Sequence, residues 1–167
     1  MEVNEKSHSQ IFWLKLIKEK FGIVNPEEYI EFEKRVDIVH KKFIDAYIPS
    51  TGIIIEQKSP GLDLDAAFVQ AKNYYDWLPF SQRGRFIITC NFQEIRIYDM
   101  ETPKVQPIII LLENIEREKD NLAFIVKPER NYSHEVELSL KAGELVGRLY
   151  DSLIERYINP NEKGSSS

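Results

Sequence analysis

Apolar side chains recur along the 167-residue chain with two different periods, and the switches between them mark out its elements. In residues 9–21, Leu14, Ile17 and Phe21 stand at helical spacing with Ile11 and Phe12 beside them, and Gly22 is placed to end a helix. Asn25-Pro26-Glu27-Glu28 combines a capping residue, a proline at the first helical position and early acid. It predicts a second helix from about Pro26 to Arg35, with Tyr29, Phe32 and Val36 on the apolar side and Glu33 next to that face. On pattern alone Glu33 is a solvated helix residue.

The period then changes. Phe43 to Ile48 reads as a strand, Pro49-Ser50-Thr51-Gly52 as a turn, and Ile53-Ile54-Ile55 as a strand covered on both faces that ends in Glu56-Gln57-Lys58. Asp63 or Asp65 caps a helix to about Leu78, on which Gln70 and Tyr74 share a face. Arg85 to Cys90 and Glu94 to Asp99 predict a second hairpin, and Gln106 to Leu112 suits a strand at the sheet edge. Glu113 to Asp120 predicts a short helix, while Leu122 to Val126 fits strand or helix. Residues 131–137 read as loop, and Ala142, Leu145, Val146, Leu149, Leu153 and Tyr157 mark one face of a helix from about Ser139 to Ile158, stopped by Asn159-Pro160.

The expected fold is mixed α/β, a central sheet of four or five strands flanked by helices. The expected division is 1–130 as the main domain, 131–160 as a C-terminal helix leading towards a connector, and 161–167 as a polar tail.

The chemistry concentrates in the first hairpin. Ten residues separate Asp45 from Glu56, and a hairpin of that length returns one towards the other. Alternation along the strand sets Glu56 and Lys58 on one face, roughly 7 Å apart by rise, with Gln57 opposite. Two carboxylates held together out of water need a cation, and oxygen ligands suit Mg²⁺, which needs only one or two of them. A lysine beside such an ion can orient or deprotonate a water against a phosphate, the pattern of metal-assisted phosphodiester hydrolysis. Gln70 and Tyr74 either reach the same phosphate or the metal's waters, or are respectively a surface residue and a core-edge aromatic.

Net charge and composition narrow the class. A net charge of −5 and a pI near 5.3 oppose a freestanding high-affinity nucleic-acid binder, leaving local clusters such as Lys41-Lys42 and Arg83, Arg85. The single Cys90 excludes an intramolecular disulfide and a cysteine zinc site. With no signal peptide visible and no apolar run long enough for a membrane span, the expectation is a cytoplasmic protein without a membrane partner.

Asp45 followed by Glu56-Gln57-Lys58 fits the PD-(D/E)xK nuclease signature. The surrounding text, Phe32-Glu33, FIDAYIP, IIIEQKS, Gly61-Leu62-Asp63-Leu64, Gln70-Ala71 with Tyr74, Asn91-Phe92 and Ile97-Tyr98-Asp99, resembles the amino-terminal domain of MmeI-like restriction-modification enzymes. The resemblance is close over Ile11 to Met100 and looser through the final helix. It implies a Mg²⁺-dependent endonuclease, with Mn²⁺ able to substitute, acting on double-stranded DNA in phage defence. Asp45 and Glu56 would bind the metal, Lys58 would be the catalytic lysine, and Glu33, on the helix before the first strand, an extra active-site carboxylate. Gln70 and Tyr74 would line the site.

The same resemblance implies a parent chain with a helical connector, an S-adenosylmethionine-dependent methyltransferase and a target-recognition region; dimerisation for double-strand cleavage stays open. This sequence departs from that parent in lacking the methyltransferase motif, since Asn25-Pro26 is followed by Glu27 and Asn159-Pro160 by Asn161, and it has no glycine-rich S-adenosylmethionine loop. The expectation is an excised or solitary nuclease domain. The rivals are an inactive nuclease-fold docking or regulatory module, and an unrelated α/β interaction domain in which Glu56 and Lys58 form an ordinary strand-end ion pair.

Overall fold

The computed structural model describes residues 2–36, 42–126 and 131–158, so Lys41, Asn159-Pro160 and the polar tail lie outside the described residues. The chain forms two compact units, residues 1–128 and 129–167.

In the first unit, helix α1 (Glu2–Phe21) begins well before Ser9 and stops where Gly22 turns to φ +69° and donates to the Lys18 carbonyl at 3.1 Å. Trp13, Leu16 and Ile17 on its inner face are buried.

The second helix differs from expectation. Helix α2 (Pro26–Tyr29) is a single turn; Ile30 is extended, and Glu31–Val36 forms a strand, β1. The Asn-Pro-Glu-Glu signal sets where a helix starts but not how far it runs. Here ladder pairing with the next strand overrides the weak helical preference.

That next strand is β2 (Lys42–Ile48), followed by β3 (Ile53–Gln57), helix α3 (Leu64–Trp77), β4 (Phe86–Cys90), β5 (Glu94–Asp99) and β6 (Ile108–Leu111). The six strands lie in one mixed sheet in sequential order, one strand more than expected because of β1. Every neighbouring pair is antiparallel except β3 and β4, which run parallel and are bridged by the α3 crossover. Helix α3 starts at an Asp63 cap, whose carboxylate accepts from the Asp65 N–H at 2.8 Å. After β6, α4 (Ile115–Glu118) and a 3₁₀ segment, Lys119–Ile125, bring Leu122, Phe124 and Ile125 into the core.

The sheet is covered on both faces, and the isoleucine run of β3 divides between them. Ile53 and Ile55 pack towards Trp13 and Ile17 of α1, with Ile88, Ile95 and Ile110. Ile54 packs with Ile87, Tyr47, Ala71 and Tyr74 under α3. The parallel pairing starts at a close backbone approach: the Gly84 N–H donates to the Gly52 carbonyl at 2.9 Å, and a Cβ on Gly84 would stand 2.3 Å from the Thr51 carbonyl oxygen. From there the register runs Ile54 with Ile87 and Glu56 with Thr89.

The second unit holds one long helix, α5 (Asn131–Ile158), which includes the residues 131–137 expected as loop. No proline or glycine interrupts Asn131 to Ala142, so nothing in that stretch prevents the helix from extending. Leu145, Val146, Leu149 and Leu153 on α5 are exposed. No helix among the described residues is long and apolar enough to cross a membrane.

Candidate active site

The β2–β3 hairpin closes as its sequence predicts. Continuing the register of Ala46 with Ile55 sets Asp45 across from Glu56, and the Asp45 Oδ2 accepts the Gln57 backbone N–H at 2.9 Å. The Lys58 Nζ donates to Glu56 Oε1 at 2.9 Å and to Gln70 Oε1 at 3.0 Å, while Gln70 Nε2 donates to the Tyr74 hydroxyl at 2.8 Å. Gln57 points to the other face, where its side-chain oxygen accepts the Trp13 indole N–H at 3.0 Å. Asp45, Glu56, Lys58 and Gln70 all line one cleft of about 320 Å³.

Burial sets the electrostatics of this cluster. The Glu56 residue is 1% exposed, and its Oε2 has no hydrogen-bond partner among the described residues. Desolvation first, and the Asp45 charge second, push its carboxyl up to about 7, against the stabilising Lys58 ammonium. Asp45 is also raised, by burial, opposed by the Gln57 N–H and by Lys58. Ionising both therefore calls for more positive charge than Lys58 alone supplies.

A hard divalent cation fits these donors. Two carboxylates, one with a buried orphan oxygen, suit Mg²⁺, which retains several of its waters. Among the described residues there is no group of three or more His, Cys, Asp or Glu that could hold a metal ion.

Glu33 reaches the cleft by a different route from the one its sequence predicts. It lies on strand β1 rather than a helix, with φ +53°, and its half-exposed carboxylate takes a 2.6 Å ion pair from Lys6 of α1. The β1–β2 ladder pairs Phe32 with Ala46, skips Glu33, and resumes at Lys34 with Ile44. The neighbours change face across that step: Phe32 packs on the α1 side, and Val36 and Ile44 on the α3 side. Glu33 and Asp45 both line the cleft.

Tyr74 is buried behind Gln70 and is absent from the cleft lining. Arg83 donates to the carbonyls of Leu78 and Asp76 at the end of α3, and Arg85 pairs with Asp99 and Glu101, so both expected basic contacts serve the fold. Burial pushes the Cys90 thiol up to about 11, which makes it a core residue rather than a nucleophile.

The sequence reading missed the contribution of α1. Its first turns supply Glu5, Lys6, Ser9 and Gln10 to the cleft wall. The signal was present, since Lys6, Gln10, Trp13 and Ile17 stand at helical spacing, but the polar composition of residues 1–10 hid it.

Residues 2–156 match the family described as MmeI, N-terminal domain, a span that includes the whole sheet and most of α5. The chain belongs to that family. Membership associates this MmeI N-terminal domain with restriction-modification enzymes. Comparison with curated proteins and with solved structures returned no match.

Proposed function

We propose that this MmeI N-terminal domain is a Mg²⁺-dependent DNA endonuclease of the PD-(D/E)xK kind, hydrolysing phosphodiester bonds of double-stranded DNA. The observation that carries the reading is the convergence of Asp45, Glu56 and Lys58 on one cleft wall, with a buried Glu56 oxygen left without a partner. Asp45 and Glu56 would hold the Mg²⁺, or Mn²⁺ in its place. Bound there, the ion would polarise the phosphoryl oxygen and lower the pKa of a coordinated water.

The chain's own residues do the rest. Lys58, fixed between Glu56 and Gln70, orients the attacking water and offsets the charge that develops on the phosphate. Water oxygen bonds to phosphorus as the bond to the leaving deoxyribose oxygen breaks; the attacking water gives up one proton to solvent, and the leaving oxygen takes one up. Gln70 keeps Lys58 in place and is itself held by Tyr74. Glu33 steers a water or a second ion from the rim. Sequence recognition and methylation would belong to other parts of a parent chain, which accords with the acidic pI near 5.3.

An ordinary strand-end ion pair fits less well. Such pairs are exposed and contribute little, whereas the Glu56 side chain is 1% exposed and that of Lys58 24%. The test is Lys58→Ala. Cleavage of duplex DNA in Mg²⁺ or Mn²⁺ should fall roughly 10²–10⁴-fold with an unchanged circular dichroism spectrum; undiminished cutting removes Lys58 from the chemistry.

A further inference from the structure

Among the described residues, the non-glycine residues with positive φ are Glu33, at +53°, and Phe92, at +63°, and both line the cleft that holds Asp45, Glu56 and Lys58. Phe92 lies in the short β4–β5 connection, where a left-handed position ordinarily takes glycine or asparagine. A bulky aromatic in that conformation is a genuine outlier. Local rules are broken in this way mostly where a side chain is held for a task.

The surroundings of Phe92 are built to fix it. The Asn91 side-chain oxygen accepts the backbone N–H groups of Gln93 and Glu94 at 3.1 and 3.0 Å, pinning the turn on both sides of the ring. Its amide nitrogen donates to the Leu62 carbonyl, and the Gln93 side chain accepts the Gly61 N–H at 3.2 Å, tying the turn to the loop after Lys58. Phe12 of α1 meets the Phe92 ring edge-to-face at 5.7 Å. Leu62 lines the same cleft and is 53% exposed.

We propose that Phe92 and Leu62 form an apolar subsite that takes the nucleoside next to the scissile phosphate, the Phe92 ring packing against its base. The inference rests on the hydrolytic reading above, because continuity with the Asp45–Glu56–Lys58 wall is what identifies the occupant: a phosphate seated there carries its sugar and base along the cleft. In duplex DNA that base must leave its stack to offer a π-face, at a cost in stacking and pairing energy; the contact is then sequence-tolerant, since every base has one.

Two phosphate probes separate this subsite from the phosphate-binding wall. Deoxyadenosine 5′-monophosphate and 1,2-dideoxyribose 5-phosphate, a sugar phosphate with hydrogen in place of the base, are each titrated in Mg²⁺ and followed by NMR. The wild-type chain should bind the nucleotide about 5-fold or more tighter than the sugar phosphate. Phe92→Ala should bring the two affinities together and leave that for the sugar phosphate unchanged, and Phe92→Trp should keep the preference. Leu62→Ala, at an exposed position, should reduce the preference even if Phe92→Ala fails to fold. Equal affinity of the wild-type chain for both probes overturns the subsite and leaves the hydrolytic reading standing. Mg²⁺-dependent binding of neither probe overturns both.

Discussion

At the residue scale, burial and the Asp45 charge oppose ionisation of Glu56, and the Lys58 ammonium offsets them in part. Its folded pKa of about 7 lies above the ordinary 4.5, so the folded chain keeps a proton that the unfolded chain gives up between those values. Without divalent cation, stability is therefore highest below about pH 4.5 as far as Glu56 is concerned and declines as pH rises through about 7, by something on the order of 3 kcal/mol. Burial raises Asp45 in the same direction. Thermal unfolding in EDTA from pH 5 to 8 should show that loss, and Glu56→Gln should flatten it and be the more stable form at pH 8. A wild-type profile already as flat as the variant's would mean that Glu56 is ionised at little cost. Added Mg²⁺ should stabilise the wild-type chain at pH 8 and have little effect on Glu56→Gln. The spacing of Asp45 and Glu56 along the chain was enough to pair them, because hairpin geometry is local. The height of the Glu56 pKa was not legible, since it depends on how completely α3 and the sheet exclude water.

At the scale of elements, two glycines set the frame for the site. Gly84→Ala would drive a Cβ to 2.3 Å from the Thr51 carbonyl oxygen and 2.6 Å from the Gly52 carbonyl carbon, both backbone atoms that cannot swing aside. Thermal unfolding should show a loss of about 2 kcal/mol or more, with the β3–β4 register and cleavage impaired together. Gly22→Ala is the control: its φ is +69° but a Cβ there meets nothing within 4 Å, so it should cost only about 1 kcal/mol and leave the cleft intact. An equal loss from both would show that the close Gly52–Gly84 approach costs no more than left-handed strain at a single helix end such as Gly22.

Most elements were legible from local pattern. The isoleucines of β3 and the alternation of β5 are strong signals, and of the two caps read for α3, Asp63 or Asp65, it is Asp63 that serves. Strand β1 was not legible, because Phe32 and Val36 are four apart and follow a helix-start signal. Only their pairing with Ala46 and Lys42 of β2, a tertiary fact, makes them strand. The placement of Glu33 went with it: a left-handed residue in a strand has no periodic signature.

At the scale of the whole molecule, the acidic composition and the cleft tell one story. Among the described residues, Lys6 and Lys58 are the cleft-lining cations, set against the acids Glu5, Glu33, Asp45 and Glu56, so with all of them ionised these side chains repel a phosphate until a cation joins them. The chain by itself should therefore cut duplex DNA weakly, without sequence preference, and only with divalent ion, as a mixed plasmid digest would show. A discrete fragment pattern would place sequence recognition inside these 167 residues. The family match over residues 2–156 supports reading the cleft as part of a restriction-modification enzyme. The direct measurement is anomalous diffraction from crystals soaked in Mn²⁺. A peak bridging the Asp45 and Glu56 carboxylates, beside the Lys58 ammonium, is the predicted result; strong Mn²⁺ peaks elsewhere with none between these two side chains would contradict it.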